Sequence, residues 1–486
     1  MMLISKRAAA LGIAIGLATP ASVFATNGYF LIGYGAKARS MGGAGVAYAQ
    51  DGLAAAANPA GMADVEMDTM RIDVGGEFFL PKRGFVNDSA KLESGFPGSD
   101  TGVKHRSGSI VFLIPPMGGI YKFNRKLTVG LAAIGNGANT RYDQTVPGKP
   151  TCMDGVTDDE NGDQAIGSTV YNFNCLGSPT AGASLLQMQM LPSVAYKVNK
   201  NHSIGASLTL AAQQFRAYGL QAFGTTADGQ GLGYGAGQGD LSNRGNDYAY
   251  GAGIHVGWLG KFFKERLSIG ANYASRTYMT KFDKYRNLFA EQGSFDIPEH
   301  YALGAAFSVT KKLTIAADFQ RIKYSDIKSI ANKGPDAADP INFFPSGCET
   351  RPDGTNTCQL GNNDGMGFGW DDQNVYKIGV NYDYDSKWSF RAGYNYAETP
   401  IQDDQVLFNF LAPAVNEHHA TVGLSYRPNK NMEWSANYMH AFKNTIKGPT
   451  ALGPAANEAT GTPVEGENAS IDMYINSIGV SFGYRM

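Results

Sequence analysis

The sequence predicts an all-β protein, a 14-stranded antiparallel transmembrane barrel plugged by its own N-terminus. Three observations predict it: strand-like alternation along most of the chain, an export signal at its start, and tight turns that alternate with long loops. The last strand shows the alternation best, because one face carries Ile478, Val480, Phe482, Tyr484 and Met486. The residues between them are small or polar. An apolar face opposite a polar face fits a barrel that contacts lipid outside.

The first 25 residues predict a secretory signal peptide. Lys6 and Arg7 precede an apolar run over 8–18, and small residues flank a cleavage site after Ala25. The run is too short to serve as a membrane anchor. No later stretch reaches the ~18 apolar residues of a spanning helix, so the mature chain can cross a membrane only as a closed barrel.

Composition agrees with this class. The 486 residues include 61 Gly, 25 Tyr and 26 Phe, which suits alternating strands with aromatic girdles. The formal net charge of −2 favours neither nucleic acid nor an acidic polymer as a partner.

A short basic turn recurs along the chain and sets the strand count. It follows Phe123, Val198, Val309, Tyr384 and Arg427, and a looser version spans 260–265. Six such turns and two chain ends delimit seven intervals of two strands each. The predicted strands are 69–80, 108–123, 127–142, 185–199, 202–217, 247–259, 266–282, 298–309, 313–325, 374–384, 388–398, 418–427, 432–445 and 471–486.

The loops on the other side are long and hold all four cysteines. Their spacing predicts two loop-local disulfides, Cys152–Cys175 and Cys348–Cys358, in an oxidising compartment. A metal site would need CxxC spacing or nearby histidines, which are absent from these segments.

Outward faces carry aromatics at both ends, as in Tyr248, Tyr250, Ile254, Val256 and Trp258. Inward positions are small, and a lumen lined by small residues has room for a plug or cargo. These small positions include Gly251, Gly253, Gly257, Ala302, Gly304, Ala306, Gly423 and Ser425.

Residues 26–67 have no alternation and are rich in Gly and Ala, so they do not fit the barrel, which is predicted over 68–486. Within them, the run GAKARSMGGAGVAYAQDGLAAAANPAGMA (35–63) resembles the FadL family of outer-membrane transporters for long-chain fatty acids and other hydrophobic compounds, including its toluene-type (TodX) channels. The resemblance implies that 26–67 form a hatch inside the barrel. The chain departs from the family's usual aromatic C-terminus at Met486.

The strongest likeness is the motif Asn58-Pro59-Ala60, the family's hatch signature. Pro59 biases Asn58 toward an extended backbone, and an Asn side chain can bond to nearby backbone groups. The alternative is an ordinary surface turn, which the apolar context disfavours.

Gly135, Asn136 and Gly137 interrupt the third strand with residues of poor β propensity. In the family, an inward kink in this strand opens a lateral gap in the barrel wall. The alternative is a strand that ends early, with a loop beginning at Asn136.

Several charged residues point inward by parity: Arg71, Asp73, Glu77, His255, Arg276, Asp318, Lys377 and Arg391. We expect Arg71, Asp73 and Glu77 to contact the hatch. Arg276, Lys377 and Arg391 are candidates for binding a ligand carboxylate, because a cation in a partly dry cavity pairs well with one.

No metal, cofactor or enzyme activity is predicted. The acidic run Asp158, Asp159, Glu160 and Asp163 lacks the spacing of a calcium loop, so a solvated surface loop is the preferred interpretation. The sequence contains no catalytic triad or HExxH motif.

The combined prediction is a monomeric integral protein of the Gram-negative outer membrane that takes up hydrophobic small molecules passively. A ligand, such as a long-chain fatty acid or an aromatic hydrocarbon, would pass from an apolar pocket to a lateral opening. Membrane lipid, lipopolysaccharide and the assembly machinery are its expected partners, and nucleic acid is not. The alternatives are a hydrophilic porin, with an open charged lumen, and an outer-membrane enzyme.

Overall fold

The fold is described from a computed structural model over residues 27–88, 104–143, 156–158, 164–166, 180–220, 223–224, 239–334, 347–352, 356–449 and 468–486. The predicted signal peptide, Cys152, Cys175 and the side chains of the acidic run at 158–163 lie outside these described residues.

The strands form a closed antiparallel barrel, and each of the 14 predicted strands corresponds to an observed position in it. Adjacent strands pair in chain order, and the first and last strands close the barrel with a ladder from Arg71–Arg485 to Asp88–Asn468. The strands are β1 (Met70–Asp88), β2 (His105–Arg106), β3 (Phe112–Ile114), β4 (Met117–Lys122), β5 (Leu127–Asn139), β6 (Tyr142–Asp143), β7 (Val156–Asp158), β8 (Gln164–Ile166), β9 (Thr180–Lys197), β10 (His202–Tyr218), β11 (Asp247–Phe262), β12 (Leu267–Ala274), β13 (Tyr278–Met279), β14 (His300–Ser308), β15 (Leu313–Ile322), β16 (Gln373–Asp383), β17 (Trp388–Ala397), β18 (His418–Tyr426), β19 (Met432–Pro449) and β20 (Asn468–Arg485).

Three barrel positions are interrupted where the sequence predicted continuous strands. The second consists of β2, β3 and β4, the third of β5 and β6, and the seventh of β12 and β13. Pro115 and Pro116 separate β3 from β4, because proline cannot donate to a strand ladder. The remaining pair, β7 and β8, forms a separate two-stranded ribbon.

The recurring basic turns share one local device. In five of the six turns, a side-chain oxygen accepts hydrogen bonds from the backbone amides two and three residues later. These acceptors are Asn124, Asn199, Thr310, Asp385 and Asn429. The looser sixth turn instead holds Phe263, Lys264 and Glu265 at positive φ.

The two faces of the wall have the predicted polarity. Outward side chains remain exposed, among them Tyr250 at 61%, Ile254 at 53% and Val480 at 55%. Neighbouring inward positions such as His255 and Ser477 are buried. The exposed apolar band is the surface that a bilayer would cover.

Short helices occur in the N-terminal segment and in the long loops. They are α1 (Ala36–Ser40), α2 (Ala54–Ala57), α3 (Ala290–Gly293), α4 (Lys328–Ala331) and α5 (Val406–Asn409), with 3₁₀ turns at Pro59–Asp64, Asp283–Tyr285, Tyr324–Asp326 and Asp403–Gln405. Within the described ranges, none of the helices has the length and apolar character needed to cross a membrane.

Candidate functional site

Residues 27–67, termed the N-terminal segment below, lie against the inner faces of strands around the barrel. The amides of Gly45 and Val46 donate to the Asp318 carboxylate over 2.7 and 3.0 Å. The Gly52 amide donates to Asp73 over 2.7 Å. The segment therefore bonds both to β15 and to β1, the strand that closes the barrel with β20.

Glycines on the inner wall allow this close approach. A methyl group at Gly393 would lie 2.1 Å from the Gly42 nitrogen, and one at Gly257 would lie 2.0 Å from the Asn58 side-chain oxygen. The small inward residues read from the sequence thus leave space that the segment's backbone fills.

The Asn58-Pro59-Ala60 motif fastens the segment to β11. Asn58 is extended, with φ −160° and ψ 112°, and caps the 3₁₀ turn by accepting from the Ala60 amide over 3.0 Å. Its side-chain amide donates to the carbonyls of Val46 and Trp258, over 2.9 and 3.0 Å. One buried side chain thus ties the segment to itself and to the wall.

Buried ion pairs add to these contacts. Arg39 pairs with Glu77, and Lys37 pairs with Glu433 at 2.5 Å. Burial lowers the pKa of Lys37 to about 8. The predicted contacts of Asp73 and Glu77 with the segment are confirmed.

Arg71 reaches the segment only indirectly. It pairs with Asp73 at 2.7 Å and with Glu433 at 3.2 Å, and Glu433 in turn holds Lys37. The cation therefore orients two carboxylates that contact the segment.

The three cations predicted to bind a carboxylate lie apart and are already engaged. Arg276 falls between β12 and β13, where it pairs with Asp296 at 2.7 Å, so its predicted position inside a continuous seventh strand is wrong. Lys377 donates to Gln320 over 2.9 Å. Arg391 donates to Gln50 over 2.9 Å and to Ser425 over 2.7 Å. Their role in ligand binding stays a prediction.

The wall has a seam beside Gly135, Asn136 and Gly137. β5 pairs with β9 along its full length, to Asn139–Ser184. On its other side, its pairing with β4 stops at Ala133–Met117, and β3 pairs with β1. Among the described residues, Ile134–Ala138 thus lacks a ladder partner on this side. The two edges meet again where the Gly108 amide donates to the Arg141 carbonyl over 2.7 Å.

The N-terminal segment lies along this seam. Gly137 has φ 152°, a value that favours glycine, and its amide donates to the Tyr29 carbonyl over 3.4 Å. The Asn136 side chain accepts from the Leu31 amide over 3.3 Å. The interrupted edge of β5 therefore bonds to the segment instead of to a strand. The strand continues past Asn136, so the alternative of an early end is wrong.

Two small adjoining cavities lie next to the seam. Both have apolar walls, and neither has a charged lining residue. Ala183, Phe215, Phe289, Phe368 and Leu411 line both. The second also contacts Tyr29 from the segment, Ala138 from β5, and Trp370.

Sequence reasoning did not identify these lining residues, because most lie in irregular loops with no periodicity. Only their aromatic content gave a signal, at Phe289 and Phe295 in one loop, at Phe368 and Trp370 in another and at Phe408 in a third.

The Cys348–Cys358 disulfide closes one of these loops, with its Cα atoms 5.6 Å apart. Leu360 follows Cys358 by two residues and lines the first cavity. The bond therefore restrains a segment next to the cavity wall.

The family model described as outer membrane protein transport protein (OMPP1/FadL/TodX) matches residues 163–467, more than half of the chain. None of the curated proteins matches the chain significantly in sequence.

Solved structures share the fold at low identity. The P. putida toluene transporter TodX is 17% identical over 93% of this chain and 99% of its own, with a TM-score of 0.60. The Ralstonia pickettii toluene transporter TbuX is 17% identical over 93% and 98%, with a TM-score of 0.55. A Pseudomonas aeruginosa FadL homologue is 14% identical over 96% and 99%, with a TM-score of 0.59.

Proposed function

This chain belongs to the outer membrane protein transport protein family (OMPP1/FadL/TodX), and we propose that it takes up hydrophobic small molecules passively by releasing them sideways through the seam. It is an integral protein of the Gram-negative outer membrane and a transporter rather than an enzyme. Relatives of its fold include toluene transporters, which supports an apolar cargo.

The single observation that carries the proposal is the position of Ala138. It lines the second cavity and lies on the β5 edge that lacks a ladder partner. A cargo in the cavity is therefore one strand away from lipid. Apolar area kept out of water is worth ~25 cal/mol per Å², which favours a lateral exit over a periplasmic one.

In this proposal the N-terminal segment is the hatch. Its contacts with inner-wall residues, including Asp318 and Trp258, support a lumen closed to hydrophilic solutes. The hydrogen bond from the Gly137 amide to the Tyr29 carbonyl supports a hatch that lies at the exit. Movement near Tyr29 would therefore couple the cavity to the seam.

The test of the exit is the double substitution Gly135→Val and Gly137→Val. Both positions have outward parity on β5, so valines would cover the seam, and valine at position 137 would also disfavour the φ of 152° there. We expect uptake of radiolabelled toluene by intact cells to fall several-fold, while the barrel still shows its heat-modifiable shift on gels. The matched control is Gly119→Val on β4, which faces outward with strands on both sides and has room for a Cβ. Unchanged uptake in the folded double variant would mean that cargo leaves at the periplasmic end.

The hydrophilic porin is the rival function, and conductance separates the two. The intact protein should be nearly non-conducting in planar bilayers, and deletion of residues 26–60 should open a pore. A porin-like conductance of the intact protein would contradict the hatch proposal.

A further inference from the structure

We propose that the outer surface of the barrel binds a lipid with a phosphorylated sugar headgroup, the lipid A part of lipopolysaccharide, through basic side chains on adjacent strands. This site is separate from the path of the transported molecule. It lies where β19, β20, β1 and β2 pair side by side, and it is termed the basic patch below. The basic patch consists of Lys82, Lys104, Arg106, Lys443 and Lys447, with the carboxylate of Asp472 between them.

The strand register directs the basic patch toward lipid. Asp472 has the same parity on β20 as Ile478, which is 50% exposed on the outer wall. Gly84 is the cross-strand partner of Asp472, and Arg106 is the partner of Gly84. Lys82 is two residues from Gly84 on β1 and shares its parity. Because cross-strand partners and alternate residues share a face, these positions all point outward.

Two lysines converge on Asp472 from different strands. Lys443 on β19 pairs with it at 3.2 Å, and Lys104, which precedes β2, also pairs with it. Lys104 reaches across β1 at the point where Gly84 has no side chain, because a Cβ there would collide with Lys104 and Asp472. The Asp472 side chain is left 11% exposed. The contacts therefore hold cations from three neighbouring strands close together.

The basic patch has an excess of positive charge. Lys82, Arg106 and Lys447 are exposed, and within the described part of the chain they have no ion pair. Lys82 lies over the Tyr474 ring, 5.9 Å from its centroid. Among the described side chains that face outward at this rim of the four strands, Asp472 is the only carboxylate. Five cations therefore surround one anion, and most of their charge is open to a ligand.

Another part of the same rim, at β14 to β17, lacks this excess. Arg321 and Lys323 face outward there, but both pair with Asp372, the first at 3.0 Å. Glu299 and Glu398 add negative charge on the same outer face, where they accept hydrogen bonds from neighbouring side chains. The unpaired positive charge is therefore a local feature of one side of the barrel.

Position and charge together specify the ligand. β1 and β19 end here in long loops, and long loops of such barrels face outside the cell. Next to the basic patch, Phe442 is 47% exposed and Phe78 is 52% exposed, which suits contact with acyl chains. Phosphates form strong charge-assisted hydrogen bonds with lysine and arginine. Lipid A, an acylated and phosphorylated disaccharide of the outer leaflet, combines these apolar and anionic parts.

Native mass spectrometry of the full-length protein in detergent, with added diphosphoryl lipid A, tests the basic patch. The first variant is Lys82→Gln, Arg106→Gln and Lys447→Gln together. It removes the exposed cations and keeps both ion pairs of Asp472. Each basic side chain near an anionic lipid contributes roughly fivefold to binding, so the affinity should fall at least about tenfold.

The matched control changes the charge equally at the other rim. Lys200→Gln, Lys311→Gln and Lys430→Gln lie in short turns and are all exposed, and together they should leave lipid A binding at the wild-type level. A second test is Asp472→Asn, which frees Lys104 and Lys443 and should tighten binding about fivefold. A gain of binding cannot arise from a failure to fold.

Unchanged binding in the first variant, an equal loss in the control, or weaker binding by Asp472→Asn would overturn this inference. Phosphatidylglycerol that binds as tightly as lipid A would do so too, because the basic patch would then attract any anionic lipid. Displacement of lipid A by millimolar inorganic phosphate would show a site for a soluble anion instead. Each of these results leaves the proposed transport intact.

Discussion

The interior of the barrel has two regions of opposite character. Around the middle of the N-terminal segment, inner-wall glycines and buried ion pairs pack closely, as at Gly393 and at the Arg39–Glu77 pair. Around the cavities, apolar side chains leave small gaps. Directional polar contacts fix one arrangement of the chain, whereas an apolar wall can adapt to different occupants. We therefore expect the first region to be rigid and the second to tolerate changes of shape.

The largest difference should come from charge removal. Arg39→Met leaves Glu77 buried and unpaired, which should weaken docking of the segment by about 3–5 kcal/mol. Hydrogen exchange of peptides from 27–67, measured by mass spectrometry, reports this loss as faster exchange.

The matched control is Lys328→Met near the cavity. Lys328 pairs with Glu291 and Asp364 but is 42% exposed, so its removal should cost less than ~1 kcal/mol. Similar losses for both substitutions would show that the two regions do not differ in this way.

Added volume should give the next largest difference. Gly393→Ala places a methyl group against the Gly42 backbone and should destabilise the segment by about 1–3 kcal/mol. Ala183→Leu adds more atoms, but they enter the cavity, so segment exchange should stay near the wild-type rate.

The same pair of variants should differ in transport. Ala183→Leu should reduce uptake of radiolabelled toluene because it fills the space that the cargo needs. If the leucine instead accelerates hydrogen exchange throughout 27–67, the cavity cannot hold the added atoms without disturbing the N-terminal segment.

Removal of the motif's hydrogen bonds should have a smaller effect. Asn58→Ala deletes three bonds, to Ala60, Val46 and Trp258, and should cost about 1–2 kcal/mol. Faster exchange should concentrate at residues 44–64. An exchange pattern like that of wild type would show that the motif does not fasten the segment to β11.

The contrast between the regions also explains what the sequence could predict. Two-residue alternation and the turn acceptors, such as Asn124 and Asp385, are local features of the sequence. The number of strands and the inward or outward direction of their side chains could therefore be predicted from them. The two prolines at 115 and 116 are visible in the chain, but the alternation around them predicts one long strand. Partners such as Glu433 for Lys37 lie far apart in sequence, and inward parity alone could not identify them. The cavity depends on loop packing, which has no sequence period.

The smallest effect concerns Asp51, the carboxyl in the segment nearest to Asp73. Burial, reinforced by the Asp73 charge and opposed by Lys37 and Arg71, raises the pKa of Asp51 to about 6. The docked segment therefore binds more protons than the released segment between about pH 4 and pH 6. Docking should weaken as the pH rises through this window and level off above it.

Asp51→Asn should remove this dependence. The amide keeps an oxygen that can accept from the Leu53 amide, as the Asp51 carboxylate does over 3.0 Å, but it brings no charge into the buried site. At pH 7 the variant should dock more tightly than wild type, and at pH 4 the two should nearly agree. Hydrogen exchange of residues 47–57, corrected for the intrinsic effect of pH, measures docking of wild type and of the variant at each pH. Slower exchange of wild type at pH 7 than at pH 4 would reverse the sign and show that the Asp51 carboxylate is stabilised by Lys37 and Arg71 more than burial disfavours it.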